Sequence, residues 1–177
     1  MQKALFLDKS ATIAEQIKFS KTDSEDEILG IILGDNSDVF DLQIQTLHTV
    51  ARTLARTDIR VVLKDQAVCN LRGLIKITPE AHQTDAFLTI KGLLLSDEAK
   101  LEAIPSLEIE ANDVKASHSA SSGPPDPEQI FYLTSRGLSR EQALQLITEG
   151  FLGEVVERIK DDRIRAKIER RIKEFEL

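Results

Sequence analysis

The sequence predicts a parallel β-solenoid followed by a small group of helices. Three observations support this fold class. A short corner motif recurs between β-like runs, that region contains no Asn-Gly or Asp-Gly hairpin turn, and the apolar period changes from that of strands to that of helices after Gly123. We therefore expect a β-solenoid domain in residues 1–122 and a helical domain in residues 123–177.

The overall composition is that of an ordinary globular protein. The chain has 177 residues, of which 41% are hydrophobic and 30% charged, enough for one core with a small appended domain. A net charge of −7 argues against a phosphate-binding surface, which needs a basic excess. No run approaches the ~18 apolar residues of a membrane span, and the apolar start, residues 1–7, is too short for a signal peptide. We expect a cytoplasmic protein that binds neither nucleic acid nor membrane.

The β-like runs are short, aliphatic and separated by polar turns. Residues 1–60 give the weakest pattern, and three sharper runs follow. For residues 46–57, a helix is the alternative to a strand. Two threonines and a histidine among the apolar positions make a strand the better interpretation. The predicted strands are residues 27–35, 39–47, 59–63, 71–77 and 87–90.

Three turns share a corner motif: an aliphatic residue, any residue, Asp or Pro, Gln or Glu, and then Ala. They lie at residues 63–67, 77–81 and 95–99. A repeated small residue suits a solenoid, because the interior is narrow where each turn of the chain bends. A sandwich or a barrel is the competing architecture, and it usually shows Gly-rich hairpin turns. Parallel stacking is the better interpretation.

The helical region opens with clear start and stop signals. Asp126 can cap a helix that begins at Pro127 and ends at Gly137. A capping box at residues 139–142 predicts the start of a second helix, which we expect to end near Gly150.

Two further helices are predicted after Gly150. Residues 151–159 form the first of them, and the last starts at about Asp162. That last helix is amphipathic, because its apolar side chains recur at helical spacing between basic residues. The apolar face consists of Ile164, Ile168, Ile172 and Phe175.

His118 is the sharpest candidate for chemistry. Ser117, Ser119, Ser121 and Ser122 surround it with small polar side chains, which leaves the imidazole accessible to a ligand. Neutral imidazole is a common ligand of iron and zinc. On spacing alone, an ordinary surface histidine at a domain junction is the commoner interpretation.

The other histidines, the single cysteine and the acidic residues are weaker candidates. His48 and His82 have no clustered ligand partners and are expected at the surface or at a strand edge. Cys69 can form no intrachain disulfide and is expected to be buried and inert. A carboxylate site could be composed of Glu108, Glu110 and Asp113, but the first two share one polar strand face and should be solvated.

No signature of a nucleophilic or nucleotide-binding site is present. The serines around His118 lack the G-x-S-x-G setting of a hydrolase, and there is no phosphate loop or dinucleotide fingerprint. The residues by themselves therefore favour a binding or scaffold protein over an enzyme.

Several segments between about residues 59 and 160 resemble, in consistent order, the SufB/SufD family of iron–sulfur cluster assembly proteins. The matching segments are residues 72–75, 83–86, 93–96, 104–109, 113–120, 131–133, 135–138 and 150–151. This resemblance implies a right-handed parallel β-helix followed by a C-terminal helical domain. The corner motif and the change of period predict the same arrangement independently.

The resemblance also implies partners and a role. A SufC-type ABC ATPase would dock on the C-terminal helices and hydrolyse ATP, so this chain would be a scaffold subunit and not an enzyme. A SufB-type subunit, or a second copy, would pack against the β-helix. Transient iron or a nascent iron–sulfur cluster would lie at that subunit interface, and no nucleotide would bind this chain.

Within the family, the resemblance is to SufD. SufB-like members carry a cysteine that would fall near Ile90, and they have His-Glu where this chain has His118 and Ser119. The resemblance implies that His118 is the interface histidine that holds the metal or nascent cluster. Many SufD members have Cys-Ser-His-Gly-Ala-Thr, whereas residues 116–121 here are Ala-Ser-His-Ser-Ala-Ser, so a thiol and a glycine are missing.

Two other functions stay open at this point. Much of the family's N-terminal half has no counterpart, so the resemblance implies either a member shortened at its N-terminus or a fragment of a longer gene. The chain could also be a degenerate paralogue that binds the SufC-type ATPase but no iron. Alternatively, it could be an autonomous β-helical hydrolase that uses His118 with a nearby carboxylate.

Overall fold

A computed structural model describes residues 1–175, which form nine strands and three helices. The strands are β1 (Gln2–Leu7), β2 (Ala11–Phe19), β3 (Glu25–Gly34), β4 (Val39–His48), β5 (Leu54–Leu63), β6 (Val68–Ile77), β7 (Thr84–Leu94), β8 (Lys100–Ile109) and β9 (Val114–Gly123). The helices are α1 (Pro127–Ser135), α2 (Arg140–Val156) and α3 (Asp162–Glu174).

The strands stack into two parallel sheets. The odd-strand sheet has the order β1-β3-β5-β7-β9, and the even-strand sheet has the order β2-β4-β6-β8. Glu25 pairs with Leu54 and Val39 pairs with Val68, so the chain returns to the same position after about 30 residues, as in stacked solenoid repeats. Two strands make one turn, and the nine strands form a β-solenoid of about four turns. The predicted fold class is confirmed.

The corner motif marks real corners of the solenoid. Ala67 and Ala81 are fully buried and Ala99 is 4% exposed. Each alanine closes its turn by donating its backbone N–H to the carbonyl of the residue three positions earlier, at 3.0 to 3.3 Å. A larger side chain would have no room inside such a bend, which explains why alanine recurs there.

The predicted strands are all present, and the alternative helix over residues 46–57 is wrong. β4 ends at His48 and β5 begins at Leu54, with a turn between them. β1, β2 and β9 were not predicted, and for β8 the sequence indicated a strand only around Glu108. In β2 the apolar alternation is interrupted by Glu15, which occupies the position in register with the core residue Ile44 and pairs with Lys3 of β1.

Two of the predicted helices are a single helix. α2 runs without interruption through Gly150, so the expected stop at that residue and the separate helix over residues 151–159 are wrong. Glycine costs only about 1 kcal/mol in a helix interior, and burial of Leu152 and Val155 beyond it offsets this cost. The predicted cap at Asp126 and the capping box at Ser139 are confirmed.

The helices α2 and α3 pack on the outer face of the odd-strand sheet. They form a second core there, which includes the predicted apolar face of α3. Its buried members are Leu29, Ile31, Leu33, Val62, Leu93, Leu152, Val155, Val156, Ile159, Ile168, Ile172 and Phe175. None of the helices within residues 1–175 is long and apolar enough to cross a membrane.

Ion pairs between charged side chains also hold α2 against the odd-strand sheet, beside this apolar contact. Arg60 of β5 is buried and donates hydrogen bonds to Asp58 at 3.2 Å and to Glu154 at 2.8 Å. Arg158, just after α2, pairs with Glu27 at 2.7 Å and with Asp58 at 2.9 Å. A buried guanidinium needs such partners, since an unpaired buried charge is costly.

Candidate functional site

His118 lies on β9, the last strand of the odd-strand sheet. Its neighbours two and four residues before it, Ala116 and Val114, pack against the interior core. Because side chains alternate along a strand, His118 faces the same way. It continues an inward-facing column in which Leu88 is its register partner and Thr57 is the partner of Leu88.

Within residues 1–175, no further strand covers His118. The odd-strand sheet ends with β9, and residues 118–122 are all exposed to solvent. Within residues 1–175, the His118 imidazole makes no hydrogen bond and no ion pair. The side chain thus has the orientation of a core residue and the accessibility of a surface residue, which leaves both ring nitrogens available to a ligand.

On the inward side, the surroundings of His118 are mostly apolar, because Ser117, Ser119 and Ser121 alternate with it along β9 and face the other way. On the other side of the solenoid, β8 is the last strand of the even-strand sheet. Leu101, Ala103 and Leu107 of that strand are only partly buried and pack against the interior core. We call the inward-facing residues of these two last strands the end face. It consists of Leu101, Ala103, Pro105, Leu107, Ile109, Val114, Ala116, His118, Ala120 and Ser122.

The two edge strands that border the end face differ in their capacity to pair with another strand. β8 contains Pro105, which has no N–H to donate, and the exposed charges of Glu102 and Glu108. In β9, residues 116–123 contain neither proline nor Asp, Glu, Lys or Arg. Proline and charged residues normally prevent an open edge strand from pairing with another chain. Because residues 116–123 lack them, this part of β9 can accept a strand from a partner.

The end face does not form a metal site by itself. Within residues 1–175, no group of three or more His, Cys, Asp or Glu side chains could hold a metal ion. Protein metal sites typically have three or four protein ligands. His118 could therefore supply one ligand, and any complete site would need the others from a second molecule.

The remaining candidates from the sequence do not join this site. Cys69 is fully buried, as expected, and burial raises the pKa of its thiol to about 12. Glu108 and Glu110 are exposed, as expected, and both pair with Lys76. His82 is exposed at a corner, which is also as expected.

The expectation of a surface or edge position for His48 is wrong. Its ring is fully buried and stacks on Phe19, with ring centroids 4.3 Å apart and planes inclined by 9°. Nδ1 contacts the Thr53 hydroxyl at 2.7 Å, and that hydroxyl contacts the Thr84 hydroxyl at 2.9 Å. A signal for this burial exists in the sequence, because His48 has the same alternation phase as the apolar residues Leu42 and Ile44.

Comparison with known proteins gives a family for this fold and site. A family profile described as "SUF system FeS cluster assembly, SufBD core domain" matches residues 4–151. The chain belongs to this SufBD family. The match covers β2 to β9, α1 and most of α2, so it includes the strand that carries His118.

Individual SufBD relatives agree with this assignment. The chain is 37% identical over 113 residues to the iron–sulfur cluster assembly protein SufD of Escherichia coli, a match that covers 64% of this chain and 27% of that protein. It is 38% identical over 116 residues to SufD of Bacillus subtilis, covering 63% and 26%. A SufBD family protein of Mycobacterium leprae is 29% identical over 164 residues, covering 88% and 42%.

The curated relatives are much longer than the part that matches. The chain spans between about a quarter and two fifths of their length. The resemblance expected from the sequence segments is confirmed at the level of the family.

Proposed function

We propose that this chain is a SufD-type scaffold subunit in iron–sulfur cluster assembly, and that its end face pairs with a SufB-type subunit. One observation carries this proposal. His118 occupies an inward-facing position on a last strand that no other element within residues 1–175 covers. Two matched relatives are named SufD, and this chain has serine after the histidine, where SufB-type sequences have glutamate.

The chemistry of the end face suits a site shared between two subunits. A partner that adds a strand to β9 would bury the partly exposed Leu107 and Ala116 and exclude water from around His118. The neutral imidazole would then bind iron of the nascent cluster, which is the cargo of the assembly, while the partner supplies the other ligands. A scaffold of this kind holds the cluster transiently and performs no catalysis itself.

We also propose that a SufC-type ABC ATPase docks on the C-terminal helices and that ATP hydrolysis occurs in that partner. The exposed side of α1 and α2 is unusually apolar: Phe131 is 74% exposed, Tyr132 56% and Leu146 49%. Phe131 and Tyr132 are adjacent in α1, and adjacent exposed aromatic side chains are typical of protein interaction sites. The opposite side of α2 is fastened to the solenoid, so movement of a partner on these helices would be transmitted to the solenoid.

Co-expression with the SufB-type and SufC-type proteins of the same source tests this proposal. We expect all three proteins to co-purify. Ala120→Lys places a charge on the end face and should abolish binding of the SufB-type subunit, whereas Ala14→Lys, on the exposed outer face of β2, should not. Phe131→Glu should weaken ATPase binding selectively.

Three outcomes would contradict the proposal. The chain could bind neither partner, or Ala120→Lys and Ala14→Lys could bind the SufB-type subunit equally well. The third is unchanged ATPase binding after deletion of residues 126–177. Sedimentation of the chain alone, with Ala120→Lys as control, tests whether a second copy can occupy the end face in place of the SufB-type subunit.

A further inference from the structure

Gly73 and Leu88 face each other across the solenoid interior. Gly73 lies on β6 of the even-strand sheet, and Leu88 lies on β7 of the odd-strand sheet. A Cβ atom at residue 73 would lie 2.4 Å from Cδ2 of Leu88, closer than the 3.0 Å that real Cβ atoms keep. The leucine therefore reaches across the interior to the opposite backbone, and glycine is required for it to do so.

The next layer above this pair contains His118. Leu88 is the register partner of His118, and Gly73 is the register partner of Pro105. Neighbouring strands of a sheet lie about 4.8 Å apart, so His118 is stacked directly on Leu88 in the same inward-facing column. Leu88 is only 3% exposed and is the last covered residue of that column.

We infer that Gly73 and Leu88 are positioning residues for His118. On the side of Leu88 and Gly73 away from the open end, the interior is filled by Thr57, Ile59 and Ile44, all nearly or fully buried. On the other side lies the end face, which has no covering layer. If a Cβ atom at residue 73 displaces the Leu88 side chain, that side chain moves toward the open end, because the close-packed interior on its other side has no free space. This inference deepens the proposed function and rests on it for its biological meaning.

Nuclear magnetic resonance of the isolated full chain tests the placement directly. The chain contains three histidines, so the ring signals of His118 can be assigned and followed beside those of His82 and His48. We expect Gly73→Ala to shift the His118 ring signals and to change its rate of modification by diethyl pyrocarbonate. His82 should be unaffected. Leu88→Val removes the atom that clashes, so the double variant Gly73→Ala, Leu88→Val should restore the signals of His118.

Gly30→Ala is the matched control for an interior glycine far from the end face. A Cβ atom at residue 30 would lie 3.2 Å from the Ile59 side chain. Gly30→Ala therefore perturbs the core without contacting Leu88, the residue on which His118 is stacked. We expect unchanged His118 signals in this variant. Should Gly73→Ala fail to fold, Leu88→Ala removes the support without a clash, and the His118 signals should again shift.

The inference is overturned if Gly73→Ala, or Leu88→Ala in its place, leaves the His118 ring signals unchanged. It is also overturned if Gly30→Ala shifts them equally, or if the double variant fails to restore them. These readouts need neither iron nor a partner, so they are independent of the proposed function. That function fails separately, if His118→Ala leaves cluster formation intact while the ring signals respond as described.

Discussion

His48 and His118 both occupy inward-facing positions of the same solenoid, and their environments are opposite. Above His48, β6 contributes Ile77 and β8 contributes Ile109 in register, so the ring is fully covered. Above His118 the described part of the chain has no strand. The role of an inward-facing residue in a solenoid therefore depends on the layers above it. The same residue type is part of the core in a middle turn and part of a potential interface in the last one.

The hydrogen bonds of His48 favour the neutral form of its imidazole ring. Thr84 donates its hydroxyl hydrogen to the carbonyl of Ala81, so it must accept from Thr53, which in turn accepts from Nδ1 of His48. The proton thus lies on Nδ1 by this assignment. Nε2 is buried without a partner within the described residues. Protonation there would add a buried donor with nothing to bind.

The largest expected difference between the two histidines is in stability. His48→Ala leaves a cavity beside Phe19 and removes the partner of the Thr53 hydroxyl, so it should lower the free energy of unfolding by about 3 kcal/mol. His118→Ala removes a side chain with no hydrogen bond and should change it by less than about 0.5 kcal/mol. Urea denaturation at pH 7 measures both values. Similar losses for both variants would refute the comparison.

The second prediction concerns the dependence of stability on pH. Burial lowers the pKa of His48 from 6.5 to about 4, because it disfavours the charged ring. The unfolded chain therefore binds the proton more tightly, and the stability contributed by His48 is present above pH 6.5 and lost as the pH falls toward 4. The total loss is about 3 kcal/mol, at 1.36 kcal/mol per pKa unit.

A matched variant separates this effect from the titration of carboxylates. His48→Leu keeps the core filled and removes the titrating ring, so its unfolding free energy should fall less steeply between pH 6.5 and 4 than that of the wild type. His118→Ala should keep the wild-type slope. Identical slopes for the wild type and His48→Leu would show that His48 does not titrate in this range.

A smaller effect is expected for overpacking at a covered and an uncovered inward position. Ala67→Leu inserts extra atoms into a closed corner and should lower the free energy of unfolding by about 1–3 kcal/mol. Ala120→Leu adds the same atoms at the end face, where the alanine is exposed, and should cost little in the isolated chain. Thermal or urea unfolding of the two variants, side by side, checks this. Equal destabilisation would mean that the last turn is already closed.

Local signals in the sequence were sufficient for much of this fold. The corner alanines at residues 67, 81 and 99 and the caps at Asp126 and Ser139 predict the structure because each depends on a few neighbouring residues. Gly150 was misleading, since its local preference to end a helix is outweighed by the burial of apolar residues beyond it.

The coverage of the two histidines could not be predicted in the same way. Whether an inward-facing side chain is buried depends on strands about 30 residues away, as the register of His48 with Ile77 illustrates. The close approach of Gly73 to Leu88 is equally non-local, because it joins opposite sheets. For the candidate site, the sequence indicated His118 and its accessibility but not its inward-facing position.

Cluster formation on a reconstituted complex measures whether His118 completes a cluster site between two subunits, as we propose. The assembly would contain this chain with the proposed SufB-type and SufC-type partners, and iron–sulfur absorbance would be followed with the wild type, His118→Ala and His82→Ala. We expect a large loss of cluster for His118→Ala, with intact complexes and a wild-type yield for the exposed control His82→Ala. An equal cluster yield for all three would contradict this proposal.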